Sequence, residues 1–372
     1  MHALVYQGEH SKSWEQVSDP VLQADTDVIV GVDAVTICGT DLHILKGDVP
    51  EVEPGRVLGH EAVGTVEDVG SAIRGVAPGD RVLVSCIAAC GICRFCREGR
   101  YGQCLGGGGW ALGHTIDGVQ AEFVRVPYAD LSVHRLPEGV SDEAAVLLAD
   151  IVPTSYEVGV LAGGVRPADT VVIVGAGPIG LAAVLTSRLF SPSRIVVVDP
   201  SEPRRDAATQ LGADVVLDPI STDVGKVVAS MTKGLGADVA MEAVGVPESF
   251  ELCAGLVRPG GHVANIGVHG RPVTLHLESL WIKDVTITTG LVDTSTTPDL
   301  LRMVTDGQLD PTPIVTHRFT LDDMLEAYDV FSRPGDTGAL KVVLSRPGVT
   351  RARTRSEPAP TTAHAGEHLD DK

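Results

Sequence analysis

The pattern of apolar and polar positions changes character twice along the chain. From residue 1 to about 150 it consists of short apolar runs punctuated by Gly, Pro and Asp. Examples are DVIVGVDAV (27–35), AVGTVEDVG (62–70) and GDRVLVSC (79–86). Runs of this kind predict short strands joined by long loops, a mostly β region. Near residue 165 the texture shifts. VVIV (171–174) leads into GAGPIG and an apolar helical run to about 190. IVVVD (195–199), a helical stretch ending at LGAD (211–214), VVL (215–217) and a further helical stretch come next. DVAMEAVG (238–245), a helix over 248–257 and HVANIG (262–267) complete the series. Strands alternating with helices of this length predict βαβ units around a parallel sheet. After about 295 the texture is mixed again and ends on ALKVVLS (339–345). Residues 347–372 are polar and Pro-rich and predict a disordered tail.

The 372 residues exceed one ordinary core, so two domains are expected in an α/β chain. The balance of 29 Lys+Arg against 49 Asp+Glu, net charge −20, argues against nucleic acid and against anionic membranes. The most apolar stretch, VVIVGAGPIGLAAVL (171–185), is too short to span a bilayer and is broken by glycines and a proline. No basic-then-apolar N-terminus is read, so no signal peptide is expected. Seven cysteines, an odd number, then fit a reducing cytosol, where a dense cysteine cluster binds metal more readily than it forms disulfides.

GAGPIG sets Gly175, Gly177 and Gly180, with Pro178 and Ile179 between them, after one strand and at the start of a helix. In a dinucleotide fingerprint the first glycine permits the tight turn, the second lets backbone approach a pyrophosphate, and the third lets helix pack on sheet. Asp199 ends the next strand at the spacing of the ribose-binding acid. A carboxylate there favours NAD over NADP. Arg204 and Arg205 follow closely; they either pair with a 2′-phosphate or are exposed arginines at a helix start.

Residues 90–104 read CGICRFCREGRYGQC. Cys90, Cys93, Cys96 and Cys104 offer four thiolates on one loop, which is the donor set of a closed, structural zinc site. The rival iron–sulfur run requires Cys-x3-Cys-Pro at its end, whereas Cys104 comes seven residues after Cys96 and precedes Leu105. A catalytic metal needs an open position. Cys38 in TICGTDLH and His60 in LGHEAVG are either a buried thiol and a satisfied histidine or two ligands of a second zinc.

With these motifs in this order, the chain resembles the zinc-dependent medium-chain alcohol dehydrogenases over residues 1–345. The resemblance rests on Cys-Gly-Thr-Asp-x-His (38–43), Gly-His-Glu-x-x-Gly (59–64), the four-cysteine loop and the glycine fingerprint. It implies a GroES-like, mostly β catalytic domain built from 1–154 and 296–346, and a Rossmann domain over 155–295. It implies two zinc ions per chain. Asp150 stands where many relatives carry the third, cysteine ligand of the catalytic zinc, and related secondary-alcohol enzymes carry Asp there. Taken alone, Asp150 would be an exposed or capping residue. Glu61 is similar to the family residue behind the zinc; taken alone it would be half of a structural ion pair, for instance with an arginine of the nucleotide domain.

The resemblance also implies that Thr40 hydrogen-bonds the alcohol and that His43 passes the proton to solvent through cofactor ribose. Thr154 and Ile179 are expected on either side of the nicotinamide, backbone near Val268 and Val292 on its carboxamide, and Lys341 at the pyrophosphate. Cys86 and Cys253 are expected as buried small hydrophobes. Trp110 and Trp281 are each either pocket wall or core, and the glycine run GGGGWALGH (106–114) is either a mobile pocket edge or an ordinary loop. The implied partners are an alcohol, aldehyde or ketone and further copies of the chain, a tetramer ahead of a dimer. The competing readings are a polyol or threonine dehydrogenase of the same superfamily and, from another class, a zinc-binding regulator that senses the cofactor.

Overall fold

The computed structural model describes residues 1–346; the tail expected over 347–372 lies outside the described residues. Six strands form a parallel sheet in the spatial order Val215–Leu217, Arg194–Val198, Thr170–Val174, Ala237–Glu242, Val257–Asn265 and Thr286–Thr289. Numbered along the chain, this is the doubly wound order 3-2-1-4-5-6. Its direction reverses between Thr170–Val174 and Ala237–Glu242, which opens a crevice at the strands' carboxyl ends. Thr170–Val174 is buried along its whole length and Ala237–Glu242 at every residue but Asp238, as both-face coverage by helices requires. The strand expected at 262–267 begins at Val257, directly after the helix Pro247–Leu256. The outer strand Thr286–Thr289 was not anticipated, since its four residues carry no apolar run.

The second sheet runs Val315–Thr320, Lys341–Ser345, Val28–Thr36, Ala62–Val69, Arg81–Val84 and Val133–Arg135, with Phe123–Val126 also paired to Val28–Thr36. Its strands are rich in valine, and its register is antiparallel except between Val315–Thr320 and Lys341–Ser345. The C-terminal strand therefore pairs with a strand from the first tenth of the chain. One hydrophobic cluster runs without a break from Val63 and Leu83 of this sheet, through 144–160, to Val171 and Ile173 of the other. The two sheets thus share a core, and the segment that joins them also edges the crevice.

At the crevice mouth the glycine turn divides its work. A Cβ on Gly180 would lie 1.9 Å from the Gly175 carbonyl oxygen, so packing of helix Pro178–Arg188 on the turn forbids any side chain there. A Cβ on Gly177 would meet nothing within 4 Å. Gly180→Ala should cost about 1–3 kcal/mol of stability by overpacking. Gly177→Ala should melt within about 0.5 kcal/mol of the parent. Thermal unfolding of the two variants checks this, and equal losses would contradict it.

Candidate functional site: a three-donor centre in a cleft and a four-cysteine loop

The strand Val28–Thr36 delivers Cys38 just past its end, and Cys38 opens the short helix Gly39–Leu45. His60 lies two residues before the strand Ala62–Val69, which pairs with Val28–Thr36. Asp150 comes from the segment joining the two sheets. Its carboxylate makes no cap to the helix Ile151–Thr154 that it precedes. The capping reading of Asp150 is thereby removed.

Ligand atoms of Cys38, His60 and Asp150 all lie within 4.8 Å of one another. Asp150 Oδ2 is 3.6 Å from Cys38 Sγ and 3.4 Å from His60 Nε2. Burial and the carboxylates of Glu61 and Asp150 push the Cys38 thiol up. Burial opposes charge on His60, but Asp150 and Cys38 lift its basicity well above the ordinary value. Burial likewise opposes ionisation of Asp150, and the hydrogen bond to His60 overrides it and draws the carboxyl down. The buried centre is thus rich in negative charge and draws a proton toward His60. A dication on the same three donors relieves that excess, and one thiolate, one imidazole and one carboxylate suit zinc.

Around the donors stands a layer that holds them. Thr154 Oγ1 donates to Asp150 Oδ1 at 2.5 Å, which leaves Oδ2 turned to Cys38 and His60. Asp41, inside the Cys-Gly-Thr-Asp-x-His motif, was assigned no role by the sequence reading. It accepts from the Cys38 backbone N–H at 2.9 Å and lies 3.8 Å from His60 Nδ1. Gln120 donates to Asp41 at 3.0 Å and accepts from Tyr328 at 2.7 Å. Asp41 Oδ1 and His60 Nδ1 face each other, both buried and without a hydrogen-bond partner, so the carboxylate stands behind the imidazole as an outer-shell acid does behind a candidate metal ligand. The acid at a fixed place in the motif was the only signal for it; Gln120 and Tyr328 carried none.

Lys341 departs from its expected role. It is 1% exposed, its ammonium pairs with Glu61, and it donates to the Ile37 carbonyl at 3.1 Å. It is enclosed beneath the donors and is not placed to reach a pyrophosphate. Burial weakens its charged form, and the Glu61 carboxylate restores it. Glu61 is therefore half of an ion pair, with Lys341 of the C-terminal strand and not an arginine of the nucleotide side. Glu61 Oε2 also accepts from the Thr36 hydroxyl, while Oε1 is buried with no hydrogen-bond partner.

The donors lie in a cavity of about 300 Å3 at the crevice. Thr40, His43, Thr154, Ile179, Val268 and Val292 all line it, so the structure brings these expected residues together. Thr40 Oγ1 is 3.6 Å from Cys38 Sγ. His43 is half-exposed, with Nδ1 2.8 Å from Asp48 Oδ2. Trp110 is pocket wall, set edge-on to His60 at 6.1 Å and stacked on His114 at 4.3 Å. Trp281 is neither wall nor core, being 73% exposed. Cys253 is buried as expected; Cys86 is buried too but also lines the cavity, which its lack of a motif concealed. The loop 106–114 docks against the segment that leads into the cysteine loop through two backbone bonds between Ala88 and Gly109, 2.9 and 2.6 Å.

Asp199 sits at the glycine turn, where its carboxylate accepts from Ala176 N and Ser201 N, both at 2.8 Å. Arg204 Nη1 is 3.9 Å from it, while Arg205 is spent on the Asp199 carbonyl at 2.7 Å. The four thiols of Cys90, Cys93, Cys96 and Cys104 also converge within 4.8 Å. N–H groups of Cys96 and Leu105 bring Cys93 down to about 6, so this thiol ionises readily. Four sulfurs, one of them a ready thiolate, fit a closed zinc site.

The Lys341 placement yields a direct test. Lys341→Met leaves a buried, uncompensated carboxylate and should lower stability by about 3–5 kcal/mol in chemical denaturation, with the further change Glu61→Gln recovering part of the loss. A lysine serving the pyrophosphate would instead lose cofactor affinity with stability intact.

Residues 24–138 match the family model described as alcohol dehydrogenase GroES-like domain, and residues 178–306 match that described as zinc-binding dehydrogenase. An alcohol dehydrogenase of Cupriavidus necator is 36% identical over 339 residues, covering 86% of this chain and 91% of that one. An L-threonine 3-dehydrogenase of Pyrococcus horikoshii is 33% identical, covering 86% and 91%. Among solved structures, zinc dependent alcohol dehydrogenase 2 from Streptococcus pneumonia superposes with a TM-score of 0.89 at 44% identity, covering 93% of this chain and 99% of that one. A GroES-like β region and a doubly wound nucleotide fold are thus shared along nearly the whole chain, which belongs to the zinc-type alcohol dehydrogenases of the medium-chain dehydrogenase/reductase family.

Proposed function

We propose that this chain is an NAD-dependent alcohol dehydrogenase that interconverts a primary or secondary alcohol with its aldehyde or ketone. The observation that carries the reading is the shared cavity. Three metal donors, a hydroxyl, an imidazole and the edge of the glycine-turn crevice open into one space. On this reading Cys38, His60 and Asp150 hold one zinc and Cys90, Cys93, Cys96 and Cys104 hold a second. The catalytic zinc would supply Lewis acidity at the alcohol oxygen, and NAD would accept the hydride.

The chain's own residues then do the following. Thr40 Oγ1 hydrogen-bonds the substrate hydroxyl and takes up its proton. His43 delivers the proton to solvent at Nε2, because Nδ1 is engaged with Asp48. No hydrogen bond joins Thr40 to His43 among the described residues, so a bridging hydroxyl, which bound cofactor ribose would supply, is needed between them. Thr154 and Ile179 flank the nicotinamide, and backbone at Val268 and Val292 meets its carboxamide. Asp199 holds the ribose hydroxyls and disfavours a 2′-phosphate. We further propose the division into 1–154 with 296–346 and 155–295. The homo-oligomer is likewise a proposal. The outer strand Thr286–Thr289, flanked by exposed Leu277, Trp281 and Ile282, supports it.

The threonine and polyol reading is weakened by the walls of the cavity. Val49, Ile87, Trp110, Leu291 and Val292 line it, and Asp150 is its sole Asp, Glu, Lys or Arg. Among the described residues no Lys or Arg lines the cavity to meet a substrate carboxylate. Initial rates with NAD should be highest for apolar alcohols and at least about tenfold lower for L-threonine and for polyols, a difference of about 1.4 kcal/mol or more. Preference for threonine would overturn the assignment. In the same assay Asp199→Gly should move the NAD/NADP ratio toward NADP by about tenfold or more, with Arg204 released. An unchanged ratio would remove Asp199 from the cofactor site.

A further inference from the structure

Between the outer strand and the helix Thr297–Thr305, residues 290–296 form a strap, and Gly290, Leu291 and Val292 line the cavity. The strap is held in an unusual conformation. Thr294, a buried β-branched residue, has φ of 56°, in the left-handed region that such side chains avoid. Conformations of this kind cost about 1–3 kcal/mol and persist only where surrounding contacts impose them.

Those contacts come from two sides. On the nucleotide side, the Glu157 carboxylate accepts the N–H groups of Asp293 (2.8 Å), Thr294 (3.0 Å) and Thr296 (2.9 Å), and the Thr296 hydroxyl (2.8 Å). Glu157 lies on the π-helical turn Ser155–Leu161, an irregularity often found at functional sites. On the other side, Thr294 Oγ1 meets Ser85 Oγ at 2.8 Å. Asp293 Oδ1 accepts the Gly102 N–H at 2.8 Å. Gly102 belongs to the turn Tyr101–Gln103, inside the four-cysteine loop and directly before Cys104. The approach is close: a Cβ on Gly102 would stand 2.7 Å from the Val292 carbonyl oxygen. The side chain of Asp293 thus joins the loop that gathers four thiols to the strap that walls the cavity.

We propose that Asp293 is a positioning residue that ties the four-cysteine loop to the cofactor wall, so that an intact cysteine site raises cofactor affinity as well as stability. The proposal rests on the reading of the cavity as the nicotinamide site. Mechanically, the loop holds Gly102 N–H in place only while its sulfurs are gathered. Asp293 then selects the strap conformer in which Val292 stands at the cavity. Without that tie, only Glu157 and Ser85 hold the strained Thr294, and the strap relaxes.

The test is NADH binding, followed by fluorescence titration without substrate, together with zinc content and thermal melting. Asp293→Ala should weaken NADH binding by about fivefold to twentyfold while two zinc ions per chain are retained. Asp293→Asn keeps an acceptor oxygen for Gly102 and should stay within about threefold of the parent. Cys93→Ser should weaken binding by a factor similar to that of Asp293→Ala, and adding it to Asp293→Ala should cost less than about twofold more, because both act through one link. The Asn rescue serves as the test on its own should Cys93→Ser not fold. Parent-like affinity in Asp293→Ala, equal losses in the Ala and Asn variants, or multiplying effects in the double variant would overturn the link. A parent protein that binds no NADH would overturn the cofactor reading itself, and the link with it.

Discussion

The buried ion pair between Glu61 and Lys341 is the constraint on which the site depends. It pins together the entry to strand Ala62–Val69 and the start of strand Lys341–Ser345, and Lys341 reaches the Ile37 carbonyl next to Cys38. Three chain segments that are distant in sequence are thereby fixed around one desolvated pair of charges. Removing one partner of such a pair is far costlier than its net worth, because the survivor stays buried and unpaired. The strand Lys341–Ser345 therefore backs the two paired strands that carry Cys38 and His60 at their ends. Asp150, arriving from the segment between the two sheets, completes the centre and couples it to the core that both sheets share.

Most of the architecture was legible because it is written in period and punctuation. Continuous β-branched runs such as VVIV and IVVVD marked the buried parallel strands, and glycine spacing marked the nucleotide turn. The cysteine loop was legible because its four donors are local. What escaped had no local signature. The outer strand Thr286–Thr289 has no apolar run, and its pairing comes from the neighbouring strand alone. Lys341 was read by resemblance as a cofactor contact, but its partner lies 280 residues away in sequence, beyond what any spacing reveals. Trp110 and Trp281 were indistinguishable by composition, and the fold sends one into the cavity and the other to the surface. The Asp41–Gln120–Tyr328 chain spans 79 and 208 residues between its members and became visible only once they were folded together.

The two donor sets differ in kind, and the difference follows from how each is built. The cysteine loop gathers four sulfurs on one stretch of backbone, with N–H groups of that same stretch favouring its thiolate. The Cys38–His60–Asp150 centre gathers three donors from three separate elements and opens into a cavity. A closed four-donor site stabilises; an open three-donor site leaves room for a substrate. The strap at 290–296 touches both the cavity and the cysteine loop, so the two donor sets differ in geometry without being isolated from each other.

The central claim is that the three-donor centre is a metal site separate from the cysteine loop. Zinc content per chain, measured by elemental analysis on the parent and on Asp150→Ala, tests it most directly. The account predicts two zinc ions in the parent and one in the variant, with the cysteine-loop ion retained. One zinc in both proteins would mean that Cys38, His60 and Asp150 hold none, and would contradict it.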